Sequence, residues 1–295
     1  MNWLSRLNIK CKQQEPLALH TTFRIGGPAR FFFEPNDRKE LAVLLCQLKK
    51  RRLSFLVLGG GSNILVSDGG VRRPIIRLSS PSFKTLVSRK QDIIAGSGVS
   101  LAKLLAFAVQ QGLSGLEFLT GIPGTLGGAI AMNAGIPGQS IGDLVESVTV
   151  MHYNGCIERL TRGQIAFGYR RSGLVSSIIL EARLRLTGNS ASAIRTKMRD
   201  VARKRHLLQD PRWICAGSIF KNPAGAAAGK LIDACGLKGK RVGGACIASG
   251  HANFIINVNK AGADDVLELM SLAKKAVRDK FNITLRPEIK IWGKG

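Results

Sequence analysis

Hydrophobic residues recur at helical spacing in three stretches of the sequence. In the first, four leucines between positions 41 and 48 stand at i, i+3, i+4 and i+7, and Asn36 or Asp37 can cap the helix that they predict. A second helix is expected from Ser100 to a stop at Gly112. A third is expected over roughly 264–280, where five apolar residues share one face.

Short apolar and alternating runs predict strands between these helices. Residues 148–153 and 156–160 flank Asn154-Gly155, a pair typical of a tight hairpin because both turn residues tolerate positive φ. Residues 54–58 predict a short buried strand. Residues 180–186 alternate apolar and charged side chains, which predicts a strand with one solvent-exposed face. The mixture predicts an α+β protein with three subdomains.

The sequence has a large excess of positive charge. Its 295 residues include 44 Lys and Arg against 19 Asp and Glu, which gives a net charge of +25. Two basic segments, 49–52 and 195–205, make a nucleic-acid-binding protein one interpretation, and salt-dependent affinity for DNA would support it. No recognition-helix or aromatic RNA-binding pattern accompanies them, and basic residues are spread along the whole length. We therefore expect no nucleic-acid partner and a solvated basic surface that favours anionic ligands.

Several other classes of protein are disfavoured. No apolar run approaches the roughly 18–20 residues that a membrane-spanning helix requires. The first eight residues lack the apolar core and cleavage site of a secretion signal, so we expect a cytoplasmic protein. The six cysteines are scattered without a C-x-x-C pair, and the four histidines do not complete a zinc pattern with them. We therefore expect reduced thiols and no metal site.

Three glycine clusters require a structural or a functional explanation. Residues 58–64 include Gly59-Gly60-Gly61, which lets the backbone approach a ligand closely and directs several N–H groups at one anion. Residues 121–129 form a second loop of this kind. Residues 225–231 imitate a phosphate-binding loop but are one residue short and lack the Ser or Thr that would hold magnesium. Tight turns remain one explanation of the first two clusters, and a pyrophosphate-bearing cofactor is the other.

Seven short motifs follow one another along the sequence, and their order is more specific than any one of them. They are Thr21–Ala29, Gly59–Asn63, Gly121–Gly135, Phe167–Ser172, Ala216–Pro223, His251–Ile255 and Leu285–Ile289. This ordered set, which spans about Leu19 to Gly293, resembles the UDP-N-acetylenolpyruvoylglucosamine reductase family, also called the UDP-N-acetylmuramate dehydrogenase family.

The resemblance implies both a fold and a reaction. The family holds FAD in two N-terminal α+β subdomains of the vanillyl-alcohol-oxidase (PCMH-type) fold and binds a UDP-sugar in a C-terminal α+β domain. Residues 1–79 and 80–190 would be the FAD-binding subdomains, and 191–295 the substrate domain, whose last strand returns to the active site. NADPH donates the hydride that reduces UDP-N-acetylglucosamine enolpyruvate to UDP-N-acetylmuramate in peptidoglycan synthesis. We expect a monomer, and a flavin oxidase of the same fold with another substrate is the nearest alternative.

This reaction requires stabilisation of negative charge and delivery of one proton. Hydride addition to the terminal vinyl carbon moves charge onto the substrate carboxylate, and a proton must then reach the adjacent carbon. The resemblance places the catalytic arginine at Arg170, whose planar guanidinium can bind a carboxylate through two hydrogen bonds. It places the proton donor at Ser218 and a catalytic carboxyl group at Glu288. We expect Glu288 to be protonated when the enolate forms, because a carboxylate would repel the enolate.

Each of these residues also has a simpler structural explanation. Arg170 could form a surface ion pair, and Ser218 could cap a turn after a glycine. In a strand, Glu288 could face solvent, with Ile289 and Ile291 together on the opposite face.

Other matched positions are expected to bind FAD or the substrate. Eleven residues are expected to contact FAD: Arg24, Gly59, Gly60, Gly61, Ser62, Asn63, Gly121, Gly124, Thr125, Gly128 and Asn133. Five are expected to contact the substrate: Tyr169, Lys221, Asn222, His251 and Asn253. His251 could equally be a packed structural histidine. Longer members of the family close the site with a tyrosine on an inserted loop, whereas this sequence has only Tyr153 and Tyr169 and resembles the shorter class.

Overall fold

The structure, a computed structural model, describes residues 4, 7, 9–174 and 176–293. The protein forms two compact units, each assembled from three segments. The first unit comprises Met1–Gln13, Phe31–Gly60 and Arg73–Lys204, and the second comprises Gln14–Arg30, Gly61–Arg72 and Arg205–Gly295. The three-part division expected from the sequence stays a prediction.

Six α-helices lie in the described part of the protein, and none of them is both long and apolar enough to cross a membrane. Their bounds are α1 Arg38–Lys50, α2 Leu101–Gln110, α3 Leu126–Ala131, α4 Ala191–His206, α5 Ala228–Ala234 and α6 Ala263–Phe281.

Eighteen strands, most of them short, lie among the same described residues. They are β1 Cys11–Pro16, β2 Pro28–Phe33, β3 Leu56–Leu58, β4 Ile64–Val66, β5 Ile75–Arg77, β6 Leu86–Arg89, β7 Asp92–Gly96, β8 Leu113–Ser114, β9 Gly135–Ile136, β10 Gln139–Ser140, β11 Val145–His152, β12 Ile157–Thr161, β13 Ser177–Arg185, β14 Thr187–Gly188, β15 Arg241–Val242, β16 Ala245–Ile247, β17 Ile255–Asn257 and β18 Lys290–Trp292.

Two larger sheets and two apolar cores build the first unit. One sheet is antiparallel with the strand order β12-β11-β13-β7-β6, and the other has the order β1-β2-β5-β3. Ile179 and Leu180, adjacent on β13, belong to different cores, because successive side chains of a strand point to opposite faces. The strand predicted over 180–186 is present, but its exposed face is limited to Arg185, because Glu181 and Arg183 are half-buried. A register shift opposite Leu180 also places Leu180 in a different core from Ala182 and Leu184.

One apolar core builds the second unit. Helix α6 contributes its six buried residues at helical spacing, and the antiparallel sheet β15-β16-β17 packs with it. These residues are Ala263, Val266, Leu269, Met270, Ala273 and Val277. Strand β18 pairs in parallel with β4, so that Lys290 stands opposite Ile64. The last strand therefore lies beside the segment that follows Gly61.

The three helices predicted from hydrophobic spacing are confirmed. Helix α1 begins after Asp37, whose carboxylate accepts a hydrogen bond of 2.9 Å from the N–H of Glu40. Helix α2 begins after Ser100, whose hydroxyl accepts a bond of 3.2 Å from the N–H of Lys103. Helix α6 extends the third prediction by one residue at each end. Local spacing and caps were sufficient because these helices bury one face.

The predicted hairpin is confirmed, but its turn differs from the expected one. Strands β11 and β12 pair with Val148 opposite Leu160. Gly155 has a φ of 90°, whereas Asn154 does not have a positive φ. The Asn154 carboxamide oxygen instead accepts a hydrogen bond of 3.0 Å from the N–H of Cys156. The asparagine thus serves this turn through its side chain.

Two strand predictions are wrong in detail. The strand expected over 54–58 begins only at Leu56, and Val57 is 40% exposed because β3 lies at the edge of its sheet. Ile289 is buried but Ile291 is 36% exposed, so the two do not share a buried face. Strand β18 starts after Ile289, and regular alternation holds only within a strand.

Asp92 on β7 is an acidic residue with only 3% of its surface exposed. It forms ion pairs with Arg183 and Arg185 on β13, and Arg185 stands directly opposite it in the register. The hydrogen bond from Arg185, supported by Arg183, holds the pKa of the Asp92 carboxyl below its usual range although burial acts to raise it. Because the folded pKa is depressed, the charged form of Asp92 stabilises the folded protein.

We expect Asp92→Asn to lower the free energy of unfolding near pH 7. The difference from the wild type should shrink as the pH falls below about 3.9, the ordinary pKa of an unfolded aspartate, because the unfolded carboxyl then binds protons that the folded, ion-paired carboxyl does not yet bind. Urea unfolding between about pH 7 and pH 3 measures this. Asp200→Asn, at an exposed position of α4, is the control and should leave the free energy unchanged. A difference that stays constant with pH would contradict the role of the charge.

Candidate active site

The two glycine loops meet within the first unit, where backbone packs directly against backbone. A Cβ atom added at Gly60 would lie 2.6 Å from the Cα of Gly124, and one added at Gly59 would lie 2.9 Å from the Oγ1 of Thr125. Side chains do not tolerate contacts this short, so glycine is required at both positions. Gly124 itself has a φ of 137°, which also favours glycine. At Gly60 and Gly124 the two loops therefore meet backbone to backbone, and at Gly59 the first loop meets the Thr125 side chain.

Two buried hydroxyl groups accompany the second loop. Among the residues that the structure describes, Ser97 Oγ and Thr120 Oγ1 are buried and have no hydrogen-bond partner. Ser97 accepts a bond of 2.9 Å from the N–H of Gly127 through its backbone C=O, and Thr120 directly precedes Gly121, which has a φ of 77°. Buried polar atoms without a protein partner are what a polar ligand would satisfy. Neither hydroxyl was predicted from the sequence, since an isolated Ser or Thr forms no pattern.

Thr125 and Gly128, both expected to contact FAD, bond to each other at the start of α3. The Thr125 hydroxyl caps this helix by accepting a hydrogen bond of 3.4 Å from the N–H of Gly128. Whether either residue also contacts the cofactor stays a prediction.

The remainder of the first glycine cluster, Gly61-Ser62-Asn63, belongs to the second unit. A Cβ atom added at its glycine would lie 1.9 Å from the C=O oxygen of His20, so this position also requires glycine. The Asn63 carboxamide donates a hydrogen bond of 3.3 Å to the C=O of Glu288, and the Asn63 C=O accepts one of 2.9 Å from the N–H of Lys290. The structure thus brings two motifs from opposite ends of the sequence together.

A tight turn presents Arg170. The backbones of Gly168 and Arg171 exchange hydrogen bonds of 3.0 and 3.2 Å, which leaves Tyr169 and Arg170 at the tip. Arg170 has a φ of 54°, a left-handed conformation that residues other than glycine adopt at an energetic cost. Its guanidinium donates a hydrogen bond of 3.1 Å to the C=O of Gly135, and its Cζ lies 5.2 Å from the centre of the Tyr169 ring. Backbone strain of this kind is concentrated at functional sites.

Asn133 ties this turn to the rest of the first unit. The residue is 8% exposed and has a φ of 44°. Its carboxamide N–H donates a hydrogen bond of 3.1 Å to the C=O of Gly168, and its oxygen accepts one of 3.0 Å from the N–H of Gly142. The expected contact of Asn133 with FAD stays a prediction, whereas its contact with the arginine turn is observed.

Ser218 begins a short segment of isolated β-bridges in the second unit, directly after Gly217, whose φ is 76°. The N–H of the next residue, Ile219, donates a hydrogen bond of 2.8 Å to the C=O of Asn253. On the other side, the N–H of Glu288 donates one of 2.8 Å to the C=O of Ile219. The segments of two predicted catalytic residues therefore lie side by side, whereas the expected convergence of Arg170 with them stays a prediction.

His251 and Asn253 are integrated into the fold. The Nδ1 atom of His251 accepts a hydrogen bond of 3.2 Å from the N–H of Asn253, and the ring packs edge-on against Phe254 at 4.9 Å. Burial lowers the pKa of His251, so the imidazole is neutral near pH 7. These contacts favour the structural explanation of His251. Substrate binding by either residue stays a prediction.

The other predicted ligand-binding residues are more accessible. Tyr169 is 53% exposed and Lys221 is half-buried. The Asn222 carboxamide oxygen accepts a hydrogen bond of 3.0 Å from the N–H of Ala228 at the start of α5. Arg24 has a φ of 54° and borders a surface cavity of about 390 Å³. Other residues that line this cavity include Asp68, Asn257 and Lys260.

Known proteins match this one over nearly its full length. Residues 209–292 match the C-terminal domain of UDP-N-acetylenolpyruvoylglucosamine reductase, and residues 29–161 match an FAD-binding domain. The reductase of Moorella thermoacetica is 42% identical over 290 residues, which cover 98% of this chain and 95% of that protein. The reductase of Pelobacter propionicus is 42% identical over 294 residues, which cover 98% of this chain and 99% of that protein. This chain belongs to the UDP-N-acetylenolpyruvoylglucosamine reductase family.

A solved structure agrees with this membership. The crystal structure of the UDP-N-acetylenolpyruvylglucosamine reductase of Thermus caldophilus matches with a TM-score of 0.82 at 36% identity, covering 97% of this chain and 99% of that one. The predicted α+β FAD-binding fold is confirmed. The protein is an oxidoreductase that uses FAD as cofactor and NADPH as hydride donor.

The first unit fits FAD on structural grounds as well. A diphosphate needs backbone N–H groups that it can approach closely, and the packed loops at Gly59, Gly60 and Gly124 form such a surface. The buried hydroxyls of Ser97 and Thr120 add polar atoms that the described protein does not satisfy. Which of these residues touch FAD stays a prediction.

We expect Gly60→Ala to reduce the FAD content of the purified protein. The added Cβ would lie 2.6 Å from the Cα of Gly124, so the loops must move apart, and overpacking of this kind costs about 1–3 kcal/mol. Flavin absorbance per mole of protein, measured during titration with FAD, reports the loss. Gly163→Ala is the control, because its Cβ would have no atom within 4 Å. Equal FAD affinity in the two variants would contradict the role of the packed glycine loops in binding FAD.

Proposed function

We propose that Arg170, Ser218 and Glu288 perform the chemistry by which this flavoenzyme reduces UDP-N-acetylglucosamine enolpyruvate to UDP-N-acetylmuramate in peptidoglycan synthesis. The observation that supports it most is the pairing of the Ser218 and Glu288 segments. The Glu288 N–H bonds to Ile219 at 2.8 Å, and Phe220 and Pro287 form a β-bridge beside it. A hydroxyl and a carboxyl group from distant motifs therefore belong to neighbouring segments.

Bound FAD would supply the chemistry of hydride transfer from NADPH to the vinyl carbon of the substrate. The substrate carboxylate then gains negative charge as the enolate forms. Arg170 stabilises this charge, because its guanidinium is always protonated and can bind both oxygens. Its strained turn holds the side chain in place before the substrate arrives, which reduces the cost of reorganisation.

Ser218 delivers the proton to the carbon next to the carboxylate. A serine hydroxyl is a weak acid, so it needs a strongly basic acceptor, which the enolate carbon provides, and a nearby positive charge. Lys221, three residues along the same segment, is the proposed source of that charge or a ligand of the substrate diphosphate. Glu288 acts in its protonated form, because a carboxylate would repel the enolate.

The remaining assignments complete the proposal. Tyr169, Asn222, His251 and Asn253 are the further candidates for substrate contact. The net charge of +25 favours phosphate-bearing ligands generally. All six cysteines are free thiols. We infer a cytoplasmic monomer, and sedimentation of the purified protein tests the oligomeric state.

We expect Ser218→Ala to separate the two half-reactions. Reduction of the bound flavin by NADPH should be unchanged, whereas its reoxidation by the enolpyruvyl sugar should slow about 10²–10⁴-fold, since proton transfer is lost. Stopped-flow flavin absorbance follows each step. Ser192→Ala, at an exposed position of α4, is the control. If both steps slowed equally, Ser218 would not be the proton donor.

We expect Arg170→Lys to slow reoxidation by the enolpyruvyl sugar about 10²–10³-fold, although the charge is kept. Lysine cannot form the two parallel bonds that the arginine offers to a carboxylate. The neighbouring Arg171→Lys is the matched control, because Arg171 is exposed and shares the same turn. The measurement is the rate of reoxidation at saturating substrate. Similar losses in both variants would indicate a general charge effect instead.

A further inference from the structure

Three asparagines hold the backbone beside the three proposed catalytic residues. We infer that they are positioning residues for Arg170, Ser218 and Glu288, an inference that rests on the proposed function. They are Asn133, Asn253 and Asn63, in that order. The carboxamide N–H of each asparagine donates a hydrogen bond to a backbone C=O. That C=O belongs to the proposed catalytic residue itself or to a residue two positions away from it.

Asn133 anchors the arginine turn. Its two bonds, to the C=O of Gly168 and from the N–H of Gly142, join the first residue of the turn to the loop before β11. Arg170 lies two residues beyond Gly168 and has a strained φ of 54°. A strained residue persists only where its surroundings restrict the alternatives. The carboxamide supplies such a restraint, and asparagine itself tolerates the φ of 44° found at position 133 better than most residues do.

Asn253 anchors the serine segment. Its carboxamide N–H donates a hydrogen bond of 2.8 Å to the C=O of Phe220, and its oxygen accepts one of 2.9 Å from the N–H of the same residue. Its backbone C=O also accepts from Ile219 at 2.8 Å. Three bonds from one buried asparagine therefore set the backbone that directly follows Ser218. Ser218 itself forms a β-bridge with Phe254.

Asn63 anchors the glutamate segment. Its carboxamide donates a hydrogen bond of 3.3 Å to the C=O of Glu288, and its backbone C=O accepts one of 2.9 Å from the N–H of Lys290. These bonds connect the end of the glycine cluster to the start of β18. The Glu288 N–H is bonded to Ile219. Both backbone polar groups of the glutamate are therefore held, and its backbone cannot move independently of the serine segment.

The chemistry explains why asparagine occupies these positions. The carboxamide combines a donor and an acceptor in one short planar group, so it can mimic a neighbouring strand. Displacement of a reacting group by about 1 Å can reduce the rate about 10²-fold. Loss of one such bond should therefore slow the chemical step more than it affects cofactor binding.

The test replaces each asparagine by aspartate, in Asn133→Asp, Asn253→Asp and Asn63→Asp. The carboxylate keeps the acceptor but loses the donor, so in each variant the bond to the C=O is lost while the shape is kept. Because Asn133 and Asn63 are also predicted to contact FAD and Asn253 the substrate, the rates are compared at saturating FAD and substrate. We expect reoxidation by the enolpyruvyl sugar to slow about tenfold or more, and reduction by NADPH to change less. Asn154→Asp is the matched control, because Asn154 acts as an acceptor, from Cys156. Its rates should equal those of the wild type.

A glycine variant provides a second test if an aspartate variant fails to fold. Asn133→Gly removes both bonds but accepts the positive φ without strain, and it should slow the same step. In the double variant with Arg170→Lys, the added slowing of reoxidation should be smaller than the slowing that Asn133→Gly causes alone, because both changes act through one guanidinium. Equal slowing of both half-reactions at saturating FAD, or full additivity, would overturn the positioning role.

The outcomes also separate this inference from the proposed function. If Ser218→Ala and Arg170→Lys slow reoxidation and the asparagine variants match the control, the positioning role is wrong and the proposed function stands. If Ser218→Ala and Arg170→Lys reoxidise normally, the proposed function itself is wrong, whatever the asparagine variants do.

Discussion

A buried backbone N–H or C=O group must find a hydrogen-bond partner, and this requirement governs the segments that contain the proposed catalytic residues. The arginine turn and the serine segment lie outside the regular strands, so a sheet ladder alone does not satisfy them. Isolated bridges and buried carboxamides complete the bonding, as Asn253 does for Phe220. The same hydrogen bonds that satisfy the backbone also fix the backbone positions from which the functional side chains extend.

Close packing of backbone on backbone is the second constraint, and it explains the glycine clusters. Gly60 meets Gly124 in the first unit, while Gly61 meets the C=O of His20 in the second. One run of three glycines thus serves two compact units at once. The cluster is suited to FAD because a surface built from backbone exposes N–H groups without side chains in the way.

The acidic residues are few and several are paired, which leaves an excess of positive charge. Acidic residues number 19 against 44 basic ones, and several acids are fully used in specific pairs, such as Asp92 with two arginines. The remaining surplus of positive charge suits an oxidoreductase whose cofactor and hydride donor both contain phosphates. Basic composition alone, however, would suit a nucleic-acid-binding protein equally well. The even spread of the basic residues disfavoured that class, and the ordered motifs identified the family.

Local sequence determined what depends on near neighbours. Helical spacing with a cap at Asp37 was sufficient for α1, and the ordered motifs were sufficient for the family and its cofactor. The tertiary structure decided what depends on distant partners: the strained φ of Arg170, the exposure of Ile291, and the bond between Asn63 and Glu288. Hydrophobic periodicity is set within a few residues and can be read along the sequence. Loop hydrogen bonds depend on which segments the whole fold brings together, and no local pattern encodes that.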